Sequence, residues 1–231
     1  LQDLLRGGFS GLAIARRPAR RDDSLSRERI VTTAIELLDA EGEDGLTFRA
    51  LATRLATGSG AIYWHVAGKG ELLIAATDAI VDRVLGKVTL PGSPRKKIRA
   101  LAAGVFDAID AHPWVGAQLS RGPWQTATLQ IFERLGRELR ALKVRDTAQF
   151  TAVSTLLSYI LGVSGQNAAN SRALDASTDR AGFLATEAAR WQALDANDYS
   201  FTRSLANQLR EHDDRAEFLA GIDLILAGIV C

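Results

Sequence analysis

Residues 47–73 read TFRALATRLATGSGAIYWHVAGKGELL, and their side chains suit holding a phosphate backbone better than making or breaking covalent bonds. Hydroxyls stand at Thr47, Ser59 and Tyr63, cations at Arg49 and Lys69, and rings at Tyr63, Trp64 and His65. Gly60 leaves its backbone open to close approach, and Ala61 offers a methyl of the kind that packs on thymine. Lys69 opens the next helix, where unpaired backbone N–H groups also point at anions. Catalytic groupings are missing from the sequence. Its three histidines, His65, His112 and His212, are not at i, i+4 spacing, and Cys231 is its one cysteine. No P-loop, GxSxG run or paired-carboxylate arrangement occurs, so neither an enzyme nor a metal or cofactor site is expected.

The elements that must position these residues are short helices. Ser26 starts a first helix that puts Ile30, Ala34, Leu37 and Leu38 on one face, and Gly42 is expected to stop it. Thr47 caps a second, with Phe48, Leu51, Ala52 and Leu55 inward. Residues 56–59 form a tight turn, and a third helix over 60–66 buries Ile62 and Val66. Two such helices around a Gly-containing turn describe a helix-turn-helix, whose second helix can lie in a DNA major groove. The alternative is an ordinary helical corner, with Tyr63 and Trp64 as packing bulk and His65 a surface histidine.

Apolar residues recur at helical spacing along nearly all of the chain, and strand-like runs are scarce, so the fold is expected to be all-α. After 71–85, helices are read over 95–111, 124–142, 146–170, 180–194, 199–211 and 214–230. Pro91-Gly92-Ser93-Pro94 marks a join, and 171–179 reads as a mobile one. Residues 1–23 form a basic extension, 24–70 the helix-turn-helix unit and 71–231 a second helical unit. The helices at 146–170 and 214–230 are apolar around most of their surface, which calls for cover on several sides and so for a second subunit.

Of 231 residues, 28 are Lys or Arg and 27 Asp or Glu, a net charge of +1 that excludes nucleic-acid binding by bulk charge. The average hides two local excesses. Arg16, Arg17, Arg20 and Arg21 fall within six positions, and residues 36–44 hold five acids and no base. The arginines read either as an arm entering a minor groove or as a solvated leader. A single cysteine excludes a disulfide scaffold and favours a reducing cytoplasm. No run is long enough to span a membrane, the first residues fit a secretory signal poorly, and a chain opening on Leu reads as trimmed or rewritten.

The run LTFRALATRLATGSGAIYWHVAGKGELL, preceded by RERIVTTAIELLDAEG, resembles the DNA-binding domain of the tetracycline-repressor (TetR) family. Gly60, Tyr63, His65, Lys69 and the Leu72-Leu73 pair fall at family spacing, and YWHV with Lys69, like the C-terminal region, is similar to the family's name-giving tetracycline repressor. The resemblance implies a homodimeric repressor that binds a palindromic operator. Tyr63 and Lys69 would hold phosphates with Thr47 and His65 near them, and Ser59, Ala61 and Trp64 would lie nearest the bases.

Departures from the pattern carry expectations of their own. Gly58 stands where a capping Ser is usual and Thr57 where a buried Val is usual, which weakens the start of the recognition helix. That helix holds no Arg for bidentate contact with guanine, so discrimination is expected from Ser59, the Ala61 methyl, backbone, water and DNA shape. The resemblance also implies an effector pocket in the C-terminal core. Where the tetracycline repressor holds drug and metal with His and Gln, this chain has Leu85, Leu119 and Leu135, a drier, metal-free lining. Phe106, Trp114, Gln118, Trp124, Phe132, Gln166 and Asn167 are the candidates to line it around a hydrophobic or aromatic effector, with Phe106 and Phe132 also readable as plain core. A constitutive dimer without ligand is the alternative.

Overall fold

The computed structural model describes residues 25–87, 91–121, 125–173 and 179–229. The arginines of the N-terminal cluster and Trp124 lie outside this set. Among the described residues all regular structure is helical: α1 (Arg27–Gly45), α2 (Phe48–Arg54), α3 (Ser59–Tyr63), α4 (Lys69–Lys87), α5 (Pro94–Ala111), α6 (Pro113–Arg121), α7 (Thr126–Ala141), α8 (Asp146–Ala173), α9 (Arg180–Ala193), α10 (Ser200–Ser204), α11 (Ala206–Arg210) and α12 (Asp214–Ile229).

Capping chemistry sets the early boundaries. Ser26 Oγ accepts from the Arg29 N–H at 3.2 Å, and Thr47 Oγ1 accepts from the Ala50 N–H at 3.1 Å. Gly58, with no side-chain oxygen, gives α3 no such cap, and α3 is only five residues long. Gly42 breaks the helical path of α1, as expected, and a short further turn to Gly45 is joined on beyond it. It adopts the left-handed φ of 70° that favours glycine. Ile30, Leu37, Leu38, Leu51, Ile62 and Leu72 are buried where the first four helices join the one apolar core that continues to α12.

α4 is the spine, packing on α1 near its start and on α5, α6 and α7 beyond. α8 packs on α5, α6, α7 and α12. Three rings stack across this body: Phe218 of α12 lies against Phe106 of α5, with centroids 4.8 Å apart, and against Tyr159 of α8, 5.6 Å away. α9, α10 and α11 pack on one another, and Asp179 caps α9 through the N–H groups of Ala181 and Gly182.

Four expectations need correction. Residues 113–121 form a helix, α6, where none was read; a proline is tolerated at a helix start because the N–H it lacks would be unpaired there anyway. α7 begins at Thr126 rather than 124, and 171–173 prolong α8 rather than joining helices. The segment 199–211 splits at Leu205 into α10 and α11. α8 and α12 do leave bulky apolar side chains uncovered in the single chain, Phe150 at 73% exposure and Leu224 at 76%.

Gly104 sets the spacing of α5 against α4. A Cβ there would fall 2.8 Å from Val84 Cγ1, and a β-branched helical side chain has one strongly preferred rotamer. At an unhindered helical site Gly→Ala stabilises by roughly 0.5–1 kcal/mol. Gly104→Ala is expected to do the opposite, costing about 1–3 kcal/mol in thermal or urea unfolding, because the helices must part.

Candidate nucleic-acid interface

α2, the turn after it, α3 and their flanking residues carry the residues read from the sequence between Thr47 and His65. Ile62 faces inward with no exposure, which turns Tyr63 and Trp64 out at 56% and 90%. Tyr63 is held rather than free: its ring stacks flat on Phe48 of α2, with centroids 4.2 Å apart. Trp64 does not serve as packing bulk. Arg49, Thr47 and Gly60 are exposed, while Ser59, Ala61 and His65 are half-buried along the same helix or just beyond it. An indole this bare costs apolar hydration in the free protein, which a partner surface would relieve.

Lys69 occupies the first turn of α4, where the helix dipole disfavours a cation. Its ammonium donates to the main-chain carbonyl of Glu43, at the end of α1. An ammonium has three donors, so one such bond leaves capacity for an oxyanion beside the N-terminus of α4. Glu71 secures the same turn. Its Oε2 accepts from the Ala67 N–H at 2.7 Å, and its Oε1 accepts from Arg27 at 2.9 Å.

The candidate pocket residues do not converge on one chamber. Phe106 is packed core against Phe218, and half-buried Phe132 tilts against Phe150, 6.2 Å away. Gln166 and Asn167 border a cleft between α8 and α12 that includes Tyr159 and Leu224, and Asn167 donates to Asp110 at 2.9 Å. Trp114 and Gln118, both buried, turn toward α1 instead. Trp114 Nε1 donates to Asp39 Oδ1 at 2.7 Å, and Gln118 Nε2 donates to Glu43 Oε2 at 3.2 Å. Leu85, Leu119 and Leu135 are all buried in the apolar core. The packing of α6 on α1 escaped the sequence reading because α6 itself did, although Trp114, Val115, Gln118 and Leu119 already show helical spacing.

A helix-turn-helix head carrying exposed rings and cations, joined by one long helix to a larger helical core, defines the class of DNA-binding regulators. Residues 30–76 match the family described as bacterial regulatory proteins, tetR family, and residues 90–231 that described as tetracyclin repressor-like, C-terminal domain. The chain belongs to the TetR family of transcriptional regulators. It is 54% identical to the transcriptional regulator SCO7222, a TetR from Streptomyces coelicolor, with a TM-score of 0.83 over 90% of this chain and 98% of that one. ActR from Streptomyces coelicolor, in complex with actinorhodin, is 25% identical, with a TM-score of 0.73 over 89% of this chain and 95% of that one. The HTH-type transcriptional repressor DrrR1 of Streptomyces coeruleorubidus is 30% identical over 156 residues, 64% of this chain and 56% of that protein. An HTH-type transcriptional regulator of Saccharopolyspora erythraea is 36% identical over 105 residues, so the matches span about half the length of these two relatives. No helix among the described residues is long and apolar enough to cross a membrane.

The Ala67 N–H and, after it, Arg27 hold the Glu71 carboxyl below its ordinary value of 4.5. A lowered folded value means that ionised Glu71 favours the fold: its contribution is full above pH 4.5 and is lost as pH falls through the depressed value. The melting temperatures of wild type and Glu71→Gln are expected to differ above that pH, with the variant lower, and to converge as pH falls through the depressed value.

Proposed function

We propose that this chain is a homodimeric one-component transcriptional repressor. Two heads, each within residues 24–70, take successive half-sites of a palindromic operator about one DNA turn apart. The rest of the chain, 71–231, dimerises through α8 and α12 and holds a small hydrophobic or aromatic effector. Bare Trp64 beside Tyr63, stacked in place on Phe48, carries the DNA reading. Lys69 and the Tyr63 hydroxyl meet phosphates, with Thr47, Arg49 and His65 beside them. Ser59, Gly60, Ala61 and Trp64 face the groove.

Exposed Phe150 and Leu224, on the two most apolar helices, support the dimer. Solved complexes of ActR with actinorhodin and with (S)-DNPA support an effector of that kind. Of the pocket candidates, Phe106, Gln166 and Asn167 already border clefts. An effector that binds the released state more tightly must be bound more weakly on DNA by the same factor.

Combining Tyr63→Phe with Lys69→Ala is expected to weaken binding to duplexes of every sequence alike. It should also flatten the slope of log Kd against log salt by about 0.9 for each phosphate that is no longer neutralised. Unchanged affinity and slope in fluorescence anisotropy would remove the docking geometry. Burial of Leu85, Leu119 and Leu135 favours a second reading, a constitutive dimer with no ligand. A panel of apolar aromatic compounds is expected to contain members that raise Tm and release DNA; a panel with no such member favours the constitutive reading.

A further inference from the structure

Three acids of the run at 36–44, Asp39, Glu41 and Glu43, are engaged by side chains from other helices. Glu41 accepts from Arg54 of α2 at 3.2 Å. Asp39 Oδ1 accepts twice, from Trp114 Nε1 and from His112 Nδ1, each at 2.7 Å. A carboxylate only accepts, so that histidine nitrogen carries the proton. Glu43 Oε2 likewise accepts twice, from Arg121 Nη1 at 2.7 Å and from Gln118 Nε2 at 3.2 Å. Four donors from the end of α5 and from α6 thus close on two carboxylates near the end of α1.

Glu43 differs from the others in being gripped at both ends. Its side chain is held by α6, while its main-chain carbonyl receives the Lys69 ammonium. The left-handed turn at Gly42 makes both possible by redirecting the chain immediately before it. We propose that Glu43 is the positioning residue through which α6 of the effector core sets the Lys69 ammonium for DNA phosphate, the inference resting on the reading of Lys69 as a phosphate contact. A displacement of α6 then reaches the DNA face through one residue, alongside any movement of α4.

The energetics suit a relay more than a brace. Arg121 and Glu43 are 61% and 35% exposed in their side chains, and ion pairs of that exposure add little to stability. Breaking such a pair costs the fold little while moving the group it aims. Simple Coulomb attraction and the clamp also make opposite predictions for one substitution. Glu43→Gln removes a negative charge close to the binding face, which by charge alone strengthens binding to a polyanion. If Glu43 positions Lys69, the same substitution weakens it.

The test is a double-mutant cycle read with a duplex of arbitrary sequence, about 30 base pairs long, to span two half-sites. Glu43→Gln is expected to weaken binding roughly three- to tenfold in the natural background and to have no weakening effect when Lys69→Ala is already present. Arg121→Ala, at an exposed position that leaves the fold intact, is expected to reproduce the loss, and Arg121→Lys to restore most of it. Thermal unfolding of each variant checks that the chain remains folded. Tighter or unchanged binding by Glu43→Gln overturns the proposal, as does an equal loss in the Lys69→Ala background. Lys69→Ala without effect on affinity overturns the phosphate reading, and the proposal with it.

Discussion

One kink governs much of this molecule. At Gly42 the chain takes a φ of 70°, a conformation in which a side chain would be strained, and α1 continues for one more short turn in a new direction. That turn points the Glu43 carbonyl at Lys69 and the Glu43 carboxylate at Gln118 and Arg121. It also delivers Leu46, almost wholly buried, and the capping hydroxyl of Thr47 to the start of α2. The head, the first turn of α4 and the side of α6 are therefore adjusted against one another within five residues of chain.

The surface proposed to face DNA carries few charges, and this shapes what it could discriminate. α3 and the Trp64 that ends it offer a hydroxyl, a methyl, a stacked phenol and a bare indole rather than a guanidinium, so hydrogen-bond readout of guanine by a forked donor is absent from that helix. On the proposed reading, affinity comes from small surfaces doubled by symmetry and from the phosphate backbone. The net charge of +1 is consistent with that division: Asp39, Glu41 and Glu43 are engaged in contacts within the protein, which limits what they subtract from the cations of the head.

How much of this was legible in the sequence varies with the range of the interaction that decides it. Ser26 and Thr47 announce their caps locally, and the inward set Ile30, Leu51, Ile62 follows from helical spacing alone, so the head could be read residue by residue. The outward face of Trp64 follows from the same spacing, but the choice between contact surface and packing bulk could not be read from it. It depends on Phe48 taking Tyr63 as its stacking partner and leaving the neighbouring ring outside. Nor could the roles of Trp114 and Gln118, whose residue types suit a ligand pocket but whose nearest polar partners, Asp39 and Glu43, lie some 75 positions earlier. Long-range polar pairing of this kind leaves no trace in periodicity, and a nine-residue helix opening on proline gave the pattern little length in which to declare itself.

Where the Lys69 ammonium and the Glu43 carboxylate point when the head meets DNA decides between these readings. A crystal structure of the dimer on duplex DNA measures both at once. The Lys69 Nζ and Tyr63 Oη are expected within hydrogen-bond reach of phosphate oxygens, with Trp64 in the major groove and Gln118 and Arg121 still on Glu43. A complex in which α3 stands away from the groove, or in which Lys69 contacts phosphate while Glu43 has parted from α6, would contradict this arrangement.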